Sequence, residues 1–327
     1  MTHDVREVRE FIQDQDKFYI SGHIHPDGDS IGSCFSLGLA LEKIGKEVHV
    51  LLEPHHSKYN IIPGRHLIYD GSLEDGATLI CVDCADLGRL PEKLHAFAKS
   101  SPNTVCIDHH ISNTHFARYN LVDSECSSTC EMVYHFLSSF IDMDKDIAQA
   151  IYAGMVSDTG GFRHAGTSQD TLQVSARLIE LGIPFTEIYT ELLNLRTYTE
   201  TKLLARILDA CRRSDDARII HVCVPLIMMK DLDGAPDASP IDLDGVVEYL
   251  LNIRRVRVAL LVYEREPGKA KISLRSRRIN VGAIAQKFGG GGHNLAAGAS
   301  VDGDVYEIRD RALTLVEAAV KEWYSTV

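Results

Sequence analysis

The sequence predicts an α/β protein: an N-terminal doubly wound parallel sheet with flanking helices, a helical linker, and a smaller C-terminal α/β domain. Three observations carry this expectation. Short apolar, β-type runs alternate with stretches of helical periodicity in the first part of the chain, the pattern of parallel βαβ units. Three of those runs are followed by Asp or His, two of them directly and the first after Ser21-Gly22. A second β-rich segment opens at Ala217 after a helical stretch. The chain of 327 residues is long enough for two cores. The expected division is 1–190, a linker at 191–215, and 216–327.

Taken in order, residues 5–13 place Val5, Val8 and Ile12 on one helical face. Residues 18–21 read as a strand. A helix is expected over about 30–45, with Ile31, Phe35, Leu39 and Leu41 inward and Gly45 as its C-cap. Residues 47–52 form a strand, and Pro63-Gly64 and Asp70-Gly71 mark loops. A strand at 78–82, a helix at 92–99 and a strand at 104–107 follow. From about Thr129 the pattern is helical: Met132, Val133, Phe136, Leu137 and Phe140 form one stripe, and Ile147, Ile151 and Met155 the next. Further helices are expected at 171–181, 185–193 and 198–210. In the last third, strands are read at 217–222, 256–263 and 269–274, the last two joined by a turn through Pro267-Gly268. Residues 231–240 form a loop. A helix at 281–288 leads into a glycine run, and an amphipathic helix closes the chain over 305–324.

Composition narrows the function. The apolar fraction of 45% and charged fraction of 24% are those of an ordinary globular protein. No apolar run approaches the ~20 residues that span a bilayer, and the first residues lack a basic-then-apolar signal. A cytoplasmic protein with no membrane association is expected. The net charge of −12 argues against an extended grip on duplex nucleic acid, which needs many phosphate contacts from Lys and Arg. Among eight cysteines, Cys81 and Cys84, and Cys126 and Cys130, have the spacing of zinc ligands. Buried or surface thiols are the plainer reading.

The chemistry lies at the strand ends. They read His23-Ile24-His25-Pro26-Asp27-Gly28-Asp29-Ser30, then Val82-Asp83, then Asp108-His109-His110. In an open parallel sheet, ligands bind beyond the carboxyl ends of the strands, so these side chains should converge. A cluster of carboxylates and imidazoles suits a pair of hard or borderline divalent cations. Plainer roles exist for single residues: Asp29 or Ser30 as a helix cap, Asp27 in a turn, Asp83 in a loop. Adjacent His109 and His110 behind Asp108 are harder to assign so. Asp158 ends a helix, where the macrodipole disfavours a carboxylate.

His23-Ile24-His25-Pro26-Asp27-Gly28-Asp29-Ser30, Val82-Asp83, Asp108-His109-His110 and Ser157-Asp158-Thr159-Gly160-Gly161-Phe162 resemble the four motifs of the DHH phosphoesterase superfamily. Ser273-Leu274-Arg275-Ser276-Arg277 and the run from Gly289 to Gly298 resemble its associated substrate-binding domain. Order and spacing are similar to those of the nanoRNase and pAp-phosphatase (NrnA-like) group, and the resemblance covers essentially the whole chain. It implies a two-manganese site, with Mg²⁺ or another divalent ion as the alternative. His23 and Asp27 would hold one ion, and Asp29, His109 and Asp158 the other. Asp83 would bridge them. His110 would meet the scissile phosphate or leaving group, and Asp108 would orient the imidazoles. Two cations can clamp the attacking and leaving oxygens of a phosphoryl group.

Arg275 and Arg277, two apart on a strand, should share a face, and Arg matches phosphate bidentately. The four glycines before His293 would let backbone amides meet an anion. Arg275, Ser276, Gly291, Gly292 and His293 are therefore the expected substrate contacts. The expected reaction is hydrolysis of short oligoribonucleotides or linear dinucleotides to mononucleotides, with removal of the 3′-phosphate of pAp as a second activity. The family often dimerises, so a homodimer is expected. Two rivals are a pyrophosphatase or polyphosphatase and a non-catalytic nucleotide- or RNA-binding module.

Overall fold

Apolar runs of four or five residues are too short for ordinary helices, and each becomes a strand. In the computed structural model, which describes residues 4–230 and 243–326, these are β1 (Lys17–Ser21), β2 (Glu47–Val50), β3 (Thr78–Val82), β4 (Thr104–Asp108) and β5 (Tyr119–Val122). They form one sheet in the order β2-β1-β3-β4-β5, every pair parallel. The chain leaves β1 in one direction to make β2 and returns on the other side to make β3. The carboxyl ends of β1 and β3 therefore flank the point where strand order reverses, the place where such sheets bind ligands.

Strand β5 was not anticipated, because Asn120 interrupts a short run. Its amide is satisfied locally: Ala117 N–H donates to Oδ1 at 3.3 Å, and Nδ2 donates to Ala117 O at 2.6 Å. A buried Asn is thereby tolerated in an edge strand.

The helices of this unit are α1 (Val5–Gln13), α2 (Gly28–Lys43), α3 (Glu92–Ser100), α4 (Thr129–Leu137), α5 (Lys145–Asp158), α6 (Gln169–Glu180) and α7 (Phe185–Tyr189), the last continuing as a π-turn over Thr190–Asn194. Helix α2 is buried along most of its length. Its Ile31 and Phe35 pack in one core with Phe18 and Ile20 of β1, Ile107 of β4 and Ile151 of α5. Two glycines allow the close approach. A Cβ on Gly32 would lie 2.6 Å from Ala150 O, and one on Gly154 2.1 Å from Cys130 Sγ.

The chain divides into two compact units, Met1–Leu195 and Arg196–Val327. The second contains α8 (Tyr198–Ala210), β6 (Arg212–Arg213), β7 (Ile219–Val224), α9 (Leu226–Lys230), α10 (Asp244–Leu251), β8 (Val258–Glu266), β9 (Lys269–Ser276), α11 (Gly282–Gln286), β10 (Gly291–His293), β11 (Ala296–Asp302) and α12 (Val305–Thr326). Its sheet runs β10-β11-β9-β8-β7-β6, antiparallel except for β7 with β8. Helix α8, set apart as a linker from sequence, buries Leu203 and Ile207 against Ile220, Val222 and Val247. Helix α12 packs Ile308, Ala312 and Val316 against Leu260 and Ile272. The loop expected at 231–240 lies outside the described residues. Among those described, no helix is long and apolar enough to cross a membrane.

Candidate metal centre

Beyond β1 the chain turns sharply. His25 takes a left-handed φ of 58° ahead of Pro26, and Asp27 then caps α2. Asp27 Oδ1 accepts from the amides of Asp29 and Ser30, each at 3.0 Å. The cap is thus Asp27, not Asp29 or Ser30, and α2 starts two residues earlier than expected. Asp27 Oδ2 remains directed at His23, whose Nε2 lies 3.8 Å from it and 3.4 Å from Asp83 Oδ2.

Asp83 follows β3 with φ 54°. Asp is one of the few residues besides Gly that enter the left-handed region. Its carboxylate, 2% exposed, faces two ways. Oδ2 meets His23. Oδ1 lies 3.8 Å from His109 Nε2 and 3.6 Å from His110 Nδ1, and it accepts from Thr129 Oγ1 at 3.2 Å.

Asp29 looks the other way. Its oxygens accept from Thr129 N–H at 2.7 Å and Cys130 N–H at 2.9 Å, in the first turn of α4. The positive end of that helix suits a carboxylate. His109 Nε2 lies 4.0 Å from Asp29 Oδ2 and 3.6 Å from Asp158 Oδ2, at the end of α5.

Donor atoms therefore gather in overlapping triads: His23, Asp27 and Asp83; Asp29, His109 and Asp158; Asp83, His109 and His110. The imidazoles are oriented for ligation. His23 Nδ1 sits 2.8 Å from Ile24 O, and His109 Nδ1 3.3 Å from Cys126 O. A carbonyl only accepts, so both Nδ1 atoms carry the hydrogen and Nε2 faces the carboxylates. This is the arrangement of histidines that bind metals. The residues present fit a pair of divalent cations.

Electrostatics agree. Burial opposes a charged His23, but Asp27 and Asp83 prevail and raise it to about 11. Burial likewise opposes a charged His110, yet Asp108 and Asp83 raise it to about 9. Asp83 is pulled well below the carboxylate range, since His23, His110 and His109 outweigh its burial. Burial, then the charges of Asp27 and Asp83, push Asp158 up to about 8. Burial, then Asp83 and Asp158, push Asp29 well above its ordinary value. Without cations, Asp29 and Asp158 favour their protonated forms, while Asp83 stays ionised among the imidazoles.

Two groups in this centre were missed from sequence. Thr129 donates to Asp83, and Asn113 Nδ2 donates to Asp108 Oδ2 at 2.6 Å. Ser128-x-x-Glu131 does carry a helix-start signature that would have placed Thr129 in the first turn of α4. All eight thiols are free, and among the described residues no metal-ligand group includes one.

The expected substrate residues of the second unit need two corrections. Strand β9 ends at Ser276, so Arg277 lies beyond it and does not continue the face of Arg275. Arg277 Nη2 donates to Leu251 O at 3.1 Å, while Arg275 Nε is 3.6 Å from Glu248 Oε1. Ser276 is buried and its Oγ accepts from the amides of Arg278 and Ile279, closing the turn. The glycine run is not an open loop. Gly291, Gly292 and His293 form edge strand β10, paired with Gly298, Ala297 and Ala296. A Cβ on Gly290 would lie 2.1 Å from Gly298 O, and one on Gly292 2.6 Å from Ala296 O. At those two positions glycine is required by close backbone packing.

Comparison with known proteins decides the family. Residues 17–155 match the family model for the DHH family, N-terminal domain, and residues 220–322 that for the DHHA1 domain. The chain is 30% identical over 304 residues to the bifunctional oligoribonuclease and PAP phosphatase NrnA of Thermus thermophilus, covering 91% of this chain and 88% of that one. The chain belongs to the DHH family. A second DHH relative, the protein of the same name from Bacillus subtilis, is 26% identical over 316 residues, with 94% and 96% covered. A solved exopolyphosphatase-related protein from Bacteroides fragilis superposes with a TM-score of 0.85 at 26% identity, covering 98% of this chain and 96% of that one. The DHH and DHHA1 matches fall one on each unit, and the first unit gathers His23, Asp27, Asp29, Asp83, His109 and His110 beyond its strand ends, with Asp158 at the end of α5.

Proposed function

We propose that this protein is a two-metal phosphodiesterase that hydrolyses short oligoribonucleotides or linear dinucleotides to mononucleotides and also removes the 3′-phosphate of pAp. One observation carries the reading: Asp83 turns one oxygen toward His23, in a triad with Asp27, and the other toward His109, which also belongs to the triad of Asp29 and Asp158. His23 and Asp27 would hold one cation and Asp29, His109 and Asp158 the other, with Asp83 as the carboxylate that would serve both. Mn²⁺ is the favoured ion, because imidazole is mixed with carboxylate and Mg²⁺ prefers oxygen alone. The cations supply Lewis acidity and positive charge at the phosphoryl group.

The remaining groups belong to the chain. His110, raised to about 9, holds a proton at neutral pH and delivers it to the leaving oxygen. Asp108 orients its ring through Nδ1 at 2.7 Å. Residues 1–190 carry the chemistry, and 216–327 hold the non-scissile part of the substrate through Arg275, His293 and the β10 backbone at Gly291 and Gly292. Ser276, whose hydroxyl closes the turn, supports Arg275. The names of the Thermus and Bacillus relatives support this substrate class. The reading includes a cytoplasmic homodimer, which light scattering on the purified protein checks for mass.

The test is a panel of dinucleotide, pAp, polyphosphate and a twenty-nucleotide RNA with Mn²⁺. Mononucleotides from the dinucleotide, phosphate from pAp, and little action on the long strand are expected. The net charge of −12 repels phosphates lying outside the site over a screening length of about 8–10 Å. Phosphate released from polyphosphate, with the dinucleotide intact, would assign the polyphosphatase class that the Bacteroides relative's name suggests.

A further inference from the structure

Asn113 lies three residues beyond His110, in the loop after β4. Its amide is tied at every atom. Oδ1 accepts from His115 N–H at 2.7 Å. A backbone N–H only donates, so that atom is the oxygen, and the amide has one orientation. Nδ2 then points inward, 2.6 Å from Asp108 Oδ2 and 3.3 Å from Cys84 O, with Cys106 Sγ at 3.5 Å. Its two hydrogens meet the two oxygens.

Those acceptors belong to different strand ends. Cys84 directly follows Asp83 after β3, and Asp108 closes β4. The loop is fastened to the same place a second time, since Thr114 N–H donates to Ala85 O at 2.8 Å. Asp108 is fully buried, so no water replaces a lost partner at Oδ2. Its other oxygen, Oδ1, is 2.7 Å from His110 Nδ1. A carboxylate only accepts, so with the amide donating at one end, the imidazole donates at the other. Nδ1–H is thereby held on Asp108, and Nε2 is left as the nitrogen that gives its proton.

We propose that Asn113 is a positioning residue that sets the orientation of the His110 ring through Asp108. The proposal rests on the reading of His110 as the proton donor. Asn113 touches neither substrate nor cation; it acts through one buried carboxylate. Its loss leaves Asp108 free to rotate and the His110 ring without a pivot, while both donor triads stay in place.

The experiment uses Asn113→Ala and Asn113→Asp, each alone and in a His110→Ala background, in the full chain loaded with metal. Asn113→Asp keeps the acceptor for His115 N–H and replaces the amide donor by a second carboxyl facing Asp108. Partners of this kind typically change activity by about 10–100-fold. That loss is expected in kcat on a dinucleotide, with KM and metal content within about twofold of the parent protein. In the His110→Ala background the same changes should alter kcat by less than about twofold, since the group being positioned is gone. In the Mg²⁺-loaded protein, the His110 Nδ1–H signal in ¹H–¹⁵N spectra should lose the downfield position of a proton held on a carboxylate. Equal fractional losses in both backgrounds, an unchanged kcat, lost metal, or an unchanged His110 signal would each overturn the proposal. The imidazole signal needs no substrate. A protein inactive on every phosphodiester would therefore refute the proposed function and leave this test standing.

Discussion

Loading the centre with metal should expel protons, and the number should depend on pH. His23, raised to about 11, carries a proton at both pH 7 and pH 9. Asp158, raised to about 8, is about 0.9 protonated at pH 7 and about 0.1 at pH 9. Asp29 is also raised and adds to the count. Ligation requires each of them to be deprotonated. Roughly two or more protons should therefore leave per chain at pH 7, and Asp158 alone should lower that by ~0.8 at pH 9. The sign follows: protons compete with cations, so apparent metal affinity rises with pH across this interval. Titration calorimetry with Mn²⁺, run at each pH in two buffers of different ionisation enthalpy, reads the release directly. Identical heats in both buffers at pH 7 would mean that no net proton leaves, and would refute the assignment of these residues as ligands.

Stability of the metal-free protein should show the opposite dependence. Raised His23 and His110 contribute stability that is fully present below their ordinary value of 6.5 and lost as pH rises through about 11 for His23 and about 9 for His110. Raised Asp158 acts in the same direction between 3.8 and about 8. The Tm of metal-free protein should therefore fall between pH 6 and pH 10, and a rising Tm by scanning fluorimetry would contradict this. Asp83→Asn should abolish hydrolysis with the fold retained, because an amide cannot serve both triads; turnover near the parent rate would sink the shared-carboxylate assignment. Asn is the better test than Ala, since φ is 54° there and Ala carries the left-handed cost of roughly 1–2 kcal/mol. Arg275→Ala and His293→Ala should raise KM for a dinucleotide more than they lower kcat, and unchanged KM in both would assign the second unit another role.

The parts visible in the sequence were those where a local pattern and a chemical anomaly coincide. An apolar run ending on Asp83, or on Asp108 with two imidazoles, states both a strand and a reason for its end. Asp158 was visible because it sits badly at a helix C-terminus. What stayed hidden depends on groups distant in the chain. That Asp27 caps α2 while Asp29 binds α4 is settled by the amides of Thr129 and Cys130, a hundred residues away. Strand β5 exists by pairing with β4, Val105 beside Tyr119 and Asp108 beside Val122. The glycine run suggests an anion loop by composition, whereas its closest contacts are with the backbone of β11, which no local pattern announces. Asn113 looks like any loop residue until the two strand ends are seen side by side.

Asp29 is fastened to α4 through two backbone amides and is 1% exposed, whereas the Asp158 side chain is 34% exposed at the end of α5. Both carboxylates sit beside His109, yet they answer to different selection. Replacing Asp29 uncaps a buried helix and leaves two amides without an acceptor. Replacing Asp158 removes a charge from a rim. A mutational scan scored separately for protein abundance and for turnover would place the two in different classes: Asp29 with the core positions that cells clear as misfolded, Asp158 with those that accumulate as intact but silent protein. A centre of this kind is hard to retune by exchanging its acids freely, because one of them is also part of the scaffold.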